Sequence, residues 1–243
     1  MHLKTYPSHF LVACAIPIAI AHRPHLDDGT HTSISTAWPF PDTTIARVIM
    51  LTFDCPSVAT YLKVRLNDTS KPLTVGVGVP NATSLYDYRP SLWAIGKTVV
   101  TPANYQNDSV RLNLGIPTEP STSTFKPRVP RGFNAVEYAT EGSGVFAGFD
   151  EEGSGISGYG TLSVNVSVNA PGDVYLALQP LENRRARAFI AIGSDETKDP
   201  NEPGLASEVD EAAWFSPTSW PLLGRVCEPV SYTHLTLPTI LRV

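Results

Sequence analysis

"TLSVNVSVNAPGDVYLALQP", residues 161–180, carries the clearest pattern in the chain. Leu162, Val164, Val166 and Val168 alternate strictly with polar residues, so a strand here turns one face to a core and the other to water. Pro171 and Gly172 break the run and turn the chain into "DVYLALQP", and the polar "LENRR" separates that from "ARAFIAIG". Toward the N-terminus, "ARVIMLTF", "TYLKVRL", "LTVGVGVP", "SLWAIG" and "VRLNLGI" each have a strand's length and are bounded by turn formers. Short strands at this spacing predict an all-β sandwich or barrel with antiparallel neighbours. Helical periodicity is not sustained anywhere before about Ser207.

Composition agrees. The 243 residues suit one large β domain, and 42% hydrophobic content suffices for its core. Twenty-two Pro and 17 Gly against two Met indicate many turns and short elements. A net charge of −5 without a basic block excludes a nucleic-acid binder.

The first residues read as an address. Lys4, an apolar run from Phe10 to Ala21, and small residues at Ala19 and Ala21 follow the order of a secretory signal over residues 1–21. Cleavage after Ala21 would leave His22 first, and the expected localisation is secreted or at the extracellular surface. Sequons at Asn67, Asn81, Asn107 and Asn165 agree with that route. Cys55 and Cys227 could pair in an oxidising compartment or stand as two buried thiols.

"HRPHLDDGTHTSISTAWPFPD", "DYRPSLWAIG" and "PGDVYLALQPLENRRARAFIAIG" together resemble a family of secreted fungal proteins of unassigned activity, with bacterial and algal relatives. Their final hairpin, here the last two strands, is similar to the pre-peptidase C-terminal type of extracellular β-sandwich. The resemblance covers residues 22–194 and implies an antiparallel jelly-roll-like β-sandwich without bringing an activity. Members commonly carry an aromatic-Glu-Pro-aromatic stretch before the last two strands; here "FAGFDEEGSGISGYG" lacks the Pro.

Candidate chemistry is sparse. All six histidines lie outside the strand-rich body, so a Ser-His-Asp arrangement would have to recruit the N-terminal arm. His22 at a mature N-terminus suggests copper, which favours nitrogen ligands, but only His25 and His31 are near it in sequence. The alternative is an extended, Pro-stiffened segment along a sheet. Asp150, Glu151 and Glu152 precede a Gly-rich turn and could hold structural calcium, serve glycoside cleavage as paired carboxylates, or form a solvated loop. Tyr86 and Tyr88, with Tyr105, could form a binding surface for cell-wall polysaccharide or another surface protein. The same "SLYDYRPSLWAIG" also reads as a strand-entry turn in which Asp87 pairs with Arg89 and Trp93 enters the core.

Residues 195–229 are acidic and Pro-rich, the composition of a linker, with a short helix possible from Ser207. "VSYTHLTLPTILRV", residues 230–243, resembles a translated sequencing adapter and is read as non-native. The expected function is a non-catalytic structural or binding module, the alternative a carbohydrate-binding or carbohydrate-processing protein at the cell wall. Deleting residues 230–243 is expected to leave the melting temperature unchanged; a drop of several degrees in a thermal scan would show that the tail packs.

Overall fold

The computed structural model describes residues 23–55, 58–70, 72–101, 110–112, 127–138, 148–151, 156–180, 182–193, 211–216, 218, 220 and 222–227. Residues 1–21, read above as a signal, His22 and residues 230–243 fall outside them.

Two six-stranded sheets face each other. The first runs in the order β1 (Arg23–Leu26), β3 (Arg47–Phe53), β12 (Ala186–Ile192), β5 (Leu73–Pro80), β10 (Ile156–Val166), β9 (Gly148–Glu151). The second runs β2 (Trp38–Phe40), β4 (Thr60–Leu66), β11 (Gly172–Gln179), β6 (Ser91–Gly96), β8 (Asn134–Tyr138), β7 (Val110–Leu112). Every pair is antiparallel except β1–β3 and β2–β4, which are parallel. These two exceptions correct the uniformly antiparallel expectation. Both come from the N-terminal arm, which lies along an outer edge of each sheet in turn.

The Pro171–Gly172 turn does not close a hairpin. β10 pairs with β5 along Gly158–Val166 and with β9 only over Ile156–Tyr159, and the chain crosses to the second sheet for β11. It then crosses back to place β12 between β3 and β5. Val164 and Val166 nevertheless point inward as the alternation requires, while Ser163 and Asn165 are exposed. They belong to one core cluster with Ile49, Leu51, Val75, Val77, Ile190 and Ile192 from their own sheet and Leu62, Val64, Leu92, Leu176 and Leu178 from the other.

Two more clusters lie on the outer faces. On the first sheet, Val48, Met50, Phe189 and Ala191 are covered by Trp214 and Phe215 of α1 (Glu211–Phe215). A five-residue helix is not stable alone; burial of its two rings holds it. Phe189 fits because Gly78 has no side chain: a Cβ there would sit 2.2 Å from the Phe189 Cζ. On the second sheet, Tyr61, Trp93, Ile95 and Ala177 are covered by Ile34, Ala37 and Phe133. Trp93 is thus buried, as expected, in a core cluster on the outer side of this sheet.

The described part of the stretch read as a linker therefore packs on the sandwich. Arg187 lies between the Trp214 and Trp220 rings, 5.5 and 5.0 Å from their centroids. Beyond them a disulfide joins Cys227 to Cys55 across 172 residues, with Cα atoms 5.6 Å apart. Closing so long a loop is the case in which a cross-link most restricts the unfolded chain. Cys227→Ser, or reduction, is expected to cost about 2–5 kcal/mol, read as a melting temperature lower by about 5–15 °C. An unchanged thermal scan would show that the terminal segment holds without the bond.

Candidate functional site

Strand direction gathers four segments at one end of the sandwich. They are the connections β3–β4, β5–β6 and β11–β12, and the terminal segment 222–227 that the disulfide ties to the first.

The β5–β6 connection is built by its sequence. Residues 83–85 make a single 3-10 turn, and Tyr88 N–H donates to the Leu85 carbonyl at 2.9 Å. Arg89 Nη1 donates to the carbonyls of Tyr86 and Tyr88, at 2.8 and 3.0 Å, which locks the turn before Pro90. Asp87 does not pair with Arg89 in an ion pair. Its partner is Arg184, whose Nη2 donates to Asp87 Oδ1 at 3.0 Å while its Nε lies 2.9 Å from Glu182 Oε2. The Arg184 guanidinium lies over the Tyr88 ring, 4.9 Å from its centroid. Arg184 is buried and both carboxylates are exposed, so the cation is held in the wall while its counter-charges reach solvent. The hydrogen bond from Arg184 holds the Asp87 carboxyl below the usual carboxylate range. Burial pushes the Tyr88 hydroxyl far above its ordinary value.

The terminal segment continues this wall. Gly224 N–H donates to the Arg185 carbonyl, Arg185 N–H to the Arg225 carbonyl and Cys227 N–H to the Asn183 carbonyl, at 2.7, 2.9 and 2.8 Å. Arg185 Nε also reaches Asp54 Oδ1 at 3.1 Å. Four of the six exposed large apolar side chains among the described residues, Val58, Tyr86, Leu222 and Val226, lie at this end. Tyr86 is 47% exposed and meets Tyr159 edge-on, centroids 5.5 Å apart and planes at 80°.

The Tyr86, Tyr88, Tyr105 surface is not assembled as a row. Tyr88 is 0% exposed, in the core, and Tyr105 lies outside the described residues. The backbone of Asp150 and Glu151 belongs to β9, not to a turn; their side chains, and Glu152, lie outside the described residues. Asn67 and Asn81 are exposed on loops. Asn165 is exposed within β10, where its Oδ1 accepts from Thr74 Oγ1 at 2.9 Å, and Asn107 is outside the described residues.

The arm carries a second polar cluster. His25 is buried edge-on to Trp38 and Phe40, closing the side of the sandwich. Next to it, His31 Nδ1 lies 2.8 Å from Asp27 Oδ1 and 3.3 Å from Asp28 Oδ1. The sequence did carry a signal for this, two Asp and a His within "HLDDGTH". Nothing in "LENRR" marked Arg184 as the buried member of its pair.

No protein-family model matches this chain, and no curated protein matches it.

Because the folded-state pKa of Asp87 lies below its unfolded value of about 3.9, its contribution is complete above that pH and lost as pH falls through the lowered value. Asp87→Asn should therefore cost about 1 kcal/mol or less at pH 7, the pair being exposed on one side. The gap from the wild type should close on acidification. Urea unfolding at pH 7 and pH 3 checks this; a gap that persists at pH 3 would assign the loss to something other than the charge.

Proposed function

We propose that this chain is a secreted or cell-surface β-sandwich module, non-catalytic, that serves a structural or binding role through its disulfide-tied end. The clustering of exposed Val58, Tyr86, Leu222 and Val226 on loops fixed to a rigid scaffold carries the reading. The Cys55–Cys227 bond supports an oxidising compartment, and exposed Asn67 and Asn81 suit glycan acceptors. In each sheet the first of the four central strands lies beside the last, β3 by β12 and β4 by β11. That nested order supports the jelly-roll-like form implied by the resemblance to secreted fungal sandwich proteins.

Between the two classes of partner, the aromatic geometry favours protein over polysaccharide. Sugar stacking needs an open ring face, preferably several in one plane. Here Tyr88 is buried and Tyr86 stands perpendicular to Tyr159.

Expressed through a secretory route, the protein should yield a Cys55–Cys227 linked peptide on non-reducing mapping and glycans at Asn67 or Asn81. It should not be retained on insoluble chitin or β-glucan. Retention lost in Tyr86→Ala would establish the carbohydrate reading instead, and release of soluble sugar would overturn the non-catalytic one.

A further inference from the structure

We propose that Asp27, Asp28 and His31 form a binding site for a borderline divalent cation of the Zn2+ class. One carboxylate oxygen from each Asp and His31 Nδ1 lie within 4.8 Å of one another. From Nδ1 the two oxygens stand at 2.8 and 3.3 Å. An ion about 2.1 Å from each ligand atom in tetrahedral geometry sets neighbouring ligand atoms about 3.4 Å apart. The two His31–Asp spacings are close to that, and the third pair lies within 4.8 Å.

Charge supplies an independent reason. The Asp27 side chain is 1% exposed. Its partners are His31 and the Thr60 hydroxyl, which donates to Oδ2 at 3.2 Å; neither Lys nor Arg is among them. A buried carboxylate is costly unless a cation compensates it; beside a neutral His31, an ion at this point would supply that charge. The binding mode is also preformed. The His31 ring stacks on Trp38, centroids 4.9 Å apart and planes within 9°. Its carbonyl accepts from Tyr61 N–H at 2.7 Å. Asp28 is oriented by the N–H and hydroxyl of Thr30, at 2.9 and 2.6 Å.

The donor set decides the class of ion. Two carboxylates and an imidazole suit Zn2+ or a neighbouring transition ion, whereas Ca2+ takes oxygen ligands alone. Asp28 is 64% exposed and His31 17%, so water can complete the coordination from the open side. A ligating Nδ1 must carry no proton, which the other ring nitrogen can hold instead. The ion would thereby fasten the arm where it crosses from the β1 edge to the β2 edge.

The test is calorimetric titration of Zn2+ into the full chain after chelator treatment, with Asp28→Asn and His31→Gln alongside. One Zn2+ should bind per chain, with affinity at least tenfold weaker in either variant. A hundredfold excess over the dissociation constant should raise the melting temperature by about 5 °C or more, while Ca2+ at the same concentration should not. Asp28 is exposed, so its variant should melt like the wild type in chelator, which separates loss of a ligand from loss of the fold. A Zn2+ isotherm unchanged in either variant, an equal response to Ca2+, or no binding at millimolar Zn2+ would each overturn the site.

Discussion

Both sheets bury apolar side chains on both of their faces, and much of what lies outside the sandwich follows from that constraint. A two-layer sandwich covers one face of each sheet and leaves the other to water. Here Met50 and Phe189 on one outer face, and Tyr61 and Trp93 on the other, require further cover. The chain provides it from its two ends. The segment after β12 lays Trp214 and Phe215 over the first sheet. The arm before β3, aided by Phe133, lays Ile34 and Ala37 over the second. Each cover is then fixed by a polar tie. Arg187 donates to the Trp214 carbonyl, and Tyr61 N–H donates to the His31 carbonyl.

The same constraint explains what could be read from residue order alone. β10 alternates because one of its faces is left to solvent, so Val164 and Val166 announced a strand and its orientation together. β3, β6 and β12 are buried on both faces and carry continuous apolar runs. Their lengths were legible as strands and Trp93 as a core residue, but nothing in "SLWAIG" tells which cover each side chain will meet. β1 and β2 are four and three residues long and begin or end at Pro-rich stretches. Their pairing depends on the edges of strands that follow them, which no local pattern records.

The polar clusters were less legible still. Asp87 and Arg184 are 97 positions apart, so a reading confined to neighbours assigned Asp87 to Arg89, whose guanidinium instead satisfies two carbonyls of its own turn. Tyr86 and Tyr88 looked equivalent in sequence. An extended chain would point both to one side, but the 3-10 turn at 83–85 and its hydrogen bonds leave Tyr86 outside and carry Tyr88 under Arg184. Pairing of Cys55 with Cys227 was left open by residue order and is settled by the fold, because the terminal cover returns to the β3–β4 connection.

These ties bear on how the loop end could recognise a partner. Ordering loops on association normally subtracts from affinity. Here the ordering belongs to folding. The disulfide fixes the terminal segment to the β3–β4 connection, Arg185 reaches Asp54 in the same connection, and Arg184 joins the β11–β12 connection to Asp87 in the β5–β6 one. Every segment that presents an exposed apolar side chain at this end is therefore fixed to at least one other. A surface held this way selects by shape more than by adaptation, since Tyr86 cannot repack without displacing Tyr159 or the turn that Arg89 locks. The arm cluster is arranged on the opposite logic. Its three candidate ligand atoms come from within five consecutive positions, and what the fold adds is the burial of Asp27 and the Trp38 ring beneath His31. The recognition proposed for the end would depend on long-range closure, whereas the proposed ion binding at the side would depend on a local turn that the sandwich only has to shield.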